Sequence, residues 1–240
     1  MTLSYTTHIL IVLALLLIVM ALCIKTRKLS VPAALAAGLT GLVIFLGTGY
    51  TGVLLLFSFF IMGVLATSHK KALKANLHAN GAHPQTRKAS QVFANGGVAA
   101  VLGLIALADP LHQTLYTLML AASMAAATAD TLSSELGMVY GRRAYNILSF
   151  KKEPAGLDGV ISLEGTLLGA AGALVIAVLY ALATRFNITL VYVTIAGIIG
   201  TLVDSILGAA FERKHYIGND TVNFLNTLTG ALVAWALCQL

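Results

Sequence analysis

Residues 9–24 read ILIVLALLLIVMALCI, an unbroken apolar run with no charged side chain. At about 1.5 Å per helical residue, such a run comes close to the ~20 residues needed to cross the hydrocarbon of a bilayer. It is not laid out as a cleavable leader: Met1–Ile24 contains no Lys or Arg, and the basic cluster Lys25, Arg27, Lys28 follows the apolar run instead of preceding it. The reading is a retained first membrane span.

The rest of the chain agrees with it. Of 240 residues, 58% are hydrophobic and 10% charged, with 15 Lys+Arg and 9 Asp+Glu, and the mean hydropathy is +0.89. A soluble domain of this length would carry about 60 charged residues at the usual quarter share. An ordinary globular protein, a disordered chain and a nucleic-acid-binding module are thereby excluded, the last despite a net charge of +6. Further apolar runs lie at 31–50, 51–67, 92–108, 111–129, 165–183, 188–210 and 222–240. They lack the alternation of barrel strands, and backbone groups in lipid must be bonded within the segment, so helices are expected. The fold class is an all-α integral membrane protein, a polytopic bundle of about eight transmembrane helices in a single domain, 1–240. The tightest junction is Gly47-Thr48-Gly49-Tyr50-Thr51-Gly52, where two spans must reverse with almost no loop.

Charge sets the orientation. With alternating spans, the loops at 25–28, 69–88, 142–152 and 213–214 share one side and hold 14 of the 15 basic residues, leaving Arg185 on the other. The positive-inside rule places those loops in the cytoplasm and both termini outside, in a cell (cytoplasmic or inner) membrane. Cys23 and Cys238 then fall at opposite membrane faces and cannot pair. His69, His78 and His83 share a loop at a spacing that fits no helical metal pair.

The acids are more informative. An aspartate within a span costs roughly 2.5–3.5 kcal/mol on insertion scales and calls for a partner or a function. Asp204 lies inside span 7, on one helix face with Gly200 and Gly208, so that another helix or a ligand can approach its carboxylate. The stretch Ala129-Asp130-Thr131-Leu132-Ser133-Ser134-Glu135 closes span 5. Asp130 and Glu135 stand about 140° apart around a continuous helix, so a shared site requires the helix to end or unwind between them. The starts of spans 4, 6 and 8 carry Gln91 and Asn95, Glu164, and Asn219, Asp220 and Asn223. All these clusters reach the same membrane boundary, flanked by Arg87, Lys88, Arg142, Arg143, Lys151 and Lys152. Carboxylates and amides with adjacent cations and helix N-termini are the parts of a Mg²⁺–phosphate site.

The segments QVFANGG (91–97), ADTLSSELG (129–137), the 156–165 linker into a glycine-rich helix, GTLVDSILGA (200–209) and NDTVNFL (219–225) together resemble the successive motifs of a polytopic family. That family includes animal transmembrane protein 19 and the plant phytyl-phosphate kinase of vitamin E synthesis, and is labelled domain of unknown function 92. The resemblance covers 91–240, the motif-bearing core; residues 1–90, spans 1–3 and a basic loop, are the variable part. The chain departs from the family's Gly-Asp-Thr-Trp-Ser-Ser-Glu at Ala129 and Leu132, and from its Gly-Thr-Asn-Gly-Gly-Val at residues 155–160.

The resemblance implies Mg²⁺-dependent phosphoryl transfer from a nucleoside triphosphate, CTP foremost, to an isoprenoid phosphate or alcohol at the cytoplasmic membrane surface. On that reading Asp130 and Asp204 hold Mg²⁺, and Glu135 orients a ligand or accepts a proton. Asn95, Asn219 and Asn223 contact phosphate or base together with Ser134 and Ser205, and Arg87, Lys88, Lys151 and Lys152 neutralise phosphate. No GxxxxGK[ST] loop is present, so a nucleotide site is of another kind. The rival expectation is a transporter of an ion or lipid phosphate built on Asp130 and Asp204. A structural alternative has Asp204 clamped by Ser205 or Asn223, with the glycines of spans 6 and 7 serving only close packing.

Overall fold

A computed structural model describes residues 4–75 and 86–240; His78 and His83 lie outside the described residues. The long helices are α1 (Tyr5–Lys25), α2 (Val31–Ser68), α4 (Ala89–Ala108), α5 (Gln113–Tyr140), α6 (Leu163–Ala183), α7 (Thr189–Ala210) and α8 (Asn219–Leu237), with a short α3 (Lys71–Ala75).

As a straight rod the 38 residues of α2 would measure about 57 Å, nearly twice the ~30 Å hydrocarbon core. The rod is broken at Gly49, whose φ of 66° and ψ of −153° fall in a region essentially reserved for glycine. Residues 31–48 and 50–68 therefore fold back on each other. Ile44 packs against Gly52 and Leu56 against Gly41, and the two ends meet where Lys28 Nζ donates to Ser68 Oγ at 3.0 Å. The Gln113 side chain donates to Gly47 O at 2.7 Å, satisfying a carbonyl freed by the break. Among the described residues six helices are long and apolar enough to cross a membrane; with α2 divided at Gly49 and α8 counted, the bundle has eight long helical segments, in line with the expected number of about eight.

α5 is the axis of the bundle. Its Ala121–Ala129 stretch is wholly buried, and small residues on the neighbouring helices lie directly on its backbone. A Cβ at Gly169 of α6 would stand 2.7 Å from Ala129 O, and one at Gly230 of α8 would stand 2.7 Å from Ala122 O. Gly197 and Gly200 of α7 press likewise against Ala125 and Ala126. The glycines of spans 6 and 7 are packing devices, as small residues usually are between membrane helices. Asn226 of α8, fully buried, ties the layer together by donating to Ala126 O at 3.4 Å.

Hydropathy alone misplaces several helix ends. It stops span 5 at residue 129, but α5 runs unbroken to Tyr140; α4 and α8 start at Ala89 and Asn219, three residues before the apolar runs. The polar residues in these extensions face a cavity, so they lower the hydropathy without ending the helix. Between α5 and α6 the chain forms a two-stranded antiparallel sheet, β1 (Ala144–Asn146) with β2 (Val160–Ser162), which the sequence did not announce. Cys23 is buried and Cys238 exposed, both free.

Candidate functional site

The ends of α2, α5 and α7, the starts of α4 and α8, and the strap between β1 and β2 enclose a cavity of about 650 Å³ on the basic-loop face. Asp130, Glu135, Asp204, Arg87, Lys88, Asn95, Ser134, Ser205, Asn219 and Asn223 all line it. Helix α5 does not unwind between Asp130 and Glu135. The cavity is wide enough to be reached from both sides of the helix, Asp130 turning toward α7 and Glu135 toward α2 and α3.

Asp130 and Asp204 face each other across the α5–α7 contact, with Thr201 beside Asp130. Asp204 Oδ2 is buried with no protein partner. The two residues proposed to clamp it are occupied elsewhere: Ser205 Oγ donates to Thr201 O at 3.1 Å, and Asn223 Nδ2 to Asn219 O and Oδ1 at 3.0 and 2.8 Å. Two carboxylates facing each other repel when both are ionised, and a buried oxygen without a partner calls for one, so the pair fits a cation held between them. Among the described residues no group of three or more His, Cys, Asp or Glu side chains could hold a metal ion. That donor set suits Mg²⁺, which is commonly held by one or two carboxylates with the remaining ligands from water and phosphate.

Glu135 has a partner that hydropathy and motif spacing do not reveal. Lys74 of α3, 4% exposed, donates to Glu135 Oε2 at 2.5 Å and to Ala66 O and Thr67 O at 2.8 and 2.9 Å. All three ammonium protons are used, and the pair pins α3 and the end of α2 to α5.

Arg87 lies on the opposite wall. Its backbone is fixed by Arg87 N donating to Lys28 O (3.0 Å) and Ser30 N donating to Arg87 O (3.1 Å). Its guanidinium lies 5.8 Å from the centre of the Phe59 ring and against Gly63. Burial pulls its pKa below the usual arginine value while the Glu135 carboxylate raises it; arginine stays charged throughout. Among the described residues it forms no ion pair, so it is a half-buried cation awaiting an anion.

Lys151 and Lys152 are not brought to the site. Lys151 is exposed, with its carbonyl accepting from Asn146 N at 2.9 Å, and Lys152 lines a separate shallow depression with Arg142 and Glu153. The strap turns them outward while it presents Gly156–Gly159 to the cavity. Gly159, at φ 70°, leaves no room for a Cβ against Ser205 O and Ala209 of α7, and Arg213 holds the strap down, its Nε donating to Asp158 O (2.5 Å) and its Nη2 ion-pairing with Glu153 Oε2 (2.7 Å). Glu164 also stays outside, accepting from Arg142 N at 3.3 Å.

Two charged lining residues escaped the sequence reading of the site: Lys28 and Glu212. For Glu212 a signal existed, because the four-residue spacing of Gly200, Asp204 and Gly208 continues to it. For Lys28 none did, since its place depends on α2 returning to its starting face. Apart from Glu135, which turns toward α2 and α3, the acids gather on the α7–α8 side and the cations Lys28, Arg87 and Lys88 on the α2–α4 side. Helix α8 opens at the rim behind Gly218 with no capping side chain, leaving backbone N–H groups for an anion.

The chain is similar to several membrane proteins. It is 34% identical over 225 residues to the uncharacterized membrane protein MJ0933 of Methanocaldococcus jannaschii, covering 91% of this chain and 90% of the relative. It is 30% identical to the uncharacterized membrane protein sll0875 of Synechocystis sp., covering 88% and 83%. To protein VTE6, chloroplastic, of Arabidopsis thaliana it is 30% identical over 232 residues, covering 94% of this chain and 70% of the plant protein. No solved structure matches. The family model described as integral membrane protein DUF92 matches residues 14–231, and the chain belongs to that family of multi-pass membrane proteins.

Proposed function

We propose that the protein transfers a phosphoryl group from a nucleoside triphosphate, CTP foremost, to an isoprenoid phosphate or alcohol, with Mg²⁺, at the cytoplasmic face of the cell membrane. The observation that carries this reading is the Asp130–Asp204 pair, with its orphaned oxygen, facing Arg87 across one cavity at the membrane boundary. The family resemblance to phytyl-phosphate kinase supports the reaction class.

In this reading Asp130 and Asp204 hold the metal, which when bound neutralises the triphosphate and offsets the acids of the cavity wall. Lys28, Arg87, Lys88 and the start of α8 bind phosphate oxygens, and Asn95, Asn219 and Asn223 with Ser134 and Ser205 orient phosphate or base. Such a reaction depends on positioning and charge stabilisation more than on covalent participation by the protein. An acceptor monophosphate attacks through an oxygen that is already anionic; a bond to the γ-phosphorus forms, the bond from that phosphorus to the β–γ bridging oxygen breaks, and the nucleoside diphosphate leaves. No base is needed for that acceptor. The engagement of Glu135 with Lys74 therefore favours a phosphate over an alcohol as acceptor and makes Glu135 a positioning residue.

The test is transfer of label from γ-labelled CTP or ATP to a panel of isoprenyl alcohols and monophosphates by purified protein with Mg²⁺. Asp130→Asn and Asp204→Asn are expected to lower kcat about 100-fold or more, as loss of a charge-stabilising group in a closed site does. Absence of transfer by the wild type, together with Asp204-dependent movement of an ion or lipid phosphate in proteoliposomes, establishes the transporter instead.

A further inference from the structure

A second cavity, about 80 Å³, lies between α1, the α2 hairpin and α4. Its walls are apolar: Val19 and Met20 of α1, Leu56 and Phe60 of α2, Val92 of α4. It shares three residues with the polar cavity, Arg87, Gln91 and Asn95. An apolar slot between membrane helices thus adjoins a polar chamber, and at their junction lies Arg87, which forms no ion pair among the described residues. The outer wall is thinly held. Helix α1 packs chiefly on α2, its buried residues being Val12, Leu16 and Cys23, and the rest of its surface faces lipid.

From this juxtaposition we infer that the slot between α1, α2 and α4 is the seat of the acceptor's tail: a single apolar chain enters laterally from the bilayer, and Arg87 binds its anionic phosphate head where slot and chamber meet. The inference rests on the phosphoryl-transfer reading above and adds to it the side of the bundle from which the acceptor arrives, opposite the Asp130–Asp204 pair. The occupant is a one-chain amphiphile. The slot, about 80 Å³ and lined by Phe57, Phe59 and Phe60, is small, whereas a glycerophospholipid must place two chains side by side. The cation at the junction selects a phosphate head over a neutral alcohol, and Gln91 and Asn95 supply polar contacts beside it.

Gly96 is the position for a test. It lines the slot, and a Cβ there meets only Thr40 Cγ2, at 3.4 Å, so a larger side chain grows into the slot. Gly96→Leu and, on the facing wall, Val19→Trp are assayed with farnesyl monophosphate and with isopentenyl monophosphate, whose five-carbon chain hardly enters the slot. The expected result is a KM for the farnesyl acceptor raised about tenfold or more in both variants, with kcat/KM for the isopentenyl acceptor unchanged within about twofold.

Binding is read separately with a farnesyl monophosphate carrying a diazirine at the tail end, photolysed without nucleotide and mapped by peptide mass spectrometry. The inference predicts labelling on residues 16–23 and 56–60, suppressed by excess farnesyl monophosphate but not by phosphatidylglycerol. Labelling on α6–α8, equal loss with both acceptors in variants of unchanged Tm, or suppression by phosphatidylglycerol overturns it. Failure of the kinase reading looks different: no acceptor is phosphorylated by the wild type, whatever the photolabel marks.

Discussion

Lys74 and Glu135 show how far single residues could be read from the chain. The sequence marks Glu135 as an acid at a membrane boundary, but its partner is 61 positions away on a five-residue helix that hydropathy cannot find. Asp204 was easier, because an intramembrane acid flanked by glycines at helical spacing announces an inward face, and the buried, unpartnered Oδ2 is where that face leads. The ion pair yields a prediction about stability. Removing one partner of a buried pair costs about 3–5 kcal/mol; with Lys74 and Glu135 side chains 5% and 21% exposed, Lys74→Met is expected to cost about 2 kcal/mol, seen as a lower Tm in detergent. Lys74→Met combined with Glu135→Leu removes the stranded carboxylate and is expected to recover most of that loss. A double variant no more stable than the single would mean that the contacts to Ala66 O and Thr67 O, not the pair, carry the stabilisation.

Elements were legible where apolar periodicity and turn chemistry agree. The Gly47–Gly52 stretch announced a reversal, and Gly49 performs it; Gly49→Ala is expected to destabilise the protein by about 1–3 kcal/mol through its left-handed φ alone, since nothing lies within 4 Å of the added Cβ. The strap between α5 and α6 was not legible. Its sheet is two strands of three residues each, too short for an alternation that local sequence could signal. Its tie to α7 has a pH dependence of definite sign. The bond from Arg213 holds the Glu153 carboxyl below the ordinary glutamate value, against an opposing effect of desolvation. A depressed folded-state value stabilises the tie above the unfolded value and loses that contribution as pH falls through the folded one. Amide hydrogen exchange across 147–159 is therefore expected to be slow at neutral pH, and to quicken, once corrected for intrinsic rates, only below the ordinary glutamate range. Glu153→Gln should show the faster exchange already at neutral pH.

At the scale of the whole molecule, the two faces of the bundle differ in charge and in chemistry. Apart from the loop that carries Arg185, the described loops bearing basic residues converge on one face: Arg87 pairs its backbone with Lys28 and Ser30, His69 bonds to the Tyr140 hydroxyl at 2.7 Å, and the strap covers the end of α7. The opposite face is closed by His8 and Tyr50 at 2.8 Å and by Gln113 on Gly47. Composition alone could foresee this split, because membrane insertion reads loop charge and alternating helices carry it to one side. It could not foresee that the same face would house the cavity, since that depends on where helices extend beyond their apolar cores. A nucleotide confined to the cytoplasm could reach the cavity only if this face looks inward, so orientation bears directly on the proposed reaction. Exposed Lys214 and Arg185 mark the two faces. In a chain carrying Cys23→Ser and Cys238→Ser, Lys214→Cys is expected to react with a membrane-impermeant maleimide in inside-out vesicles and to be protected in intact spheroplasts, and Arg185→Cys should do the reverse. Labelling of Lys214→Cys from the outside would place the Asp130–Asp204 pair beyond the reach of cytoplasmic triphosphate and overturn the kinase reading, whatever the cavity resembles.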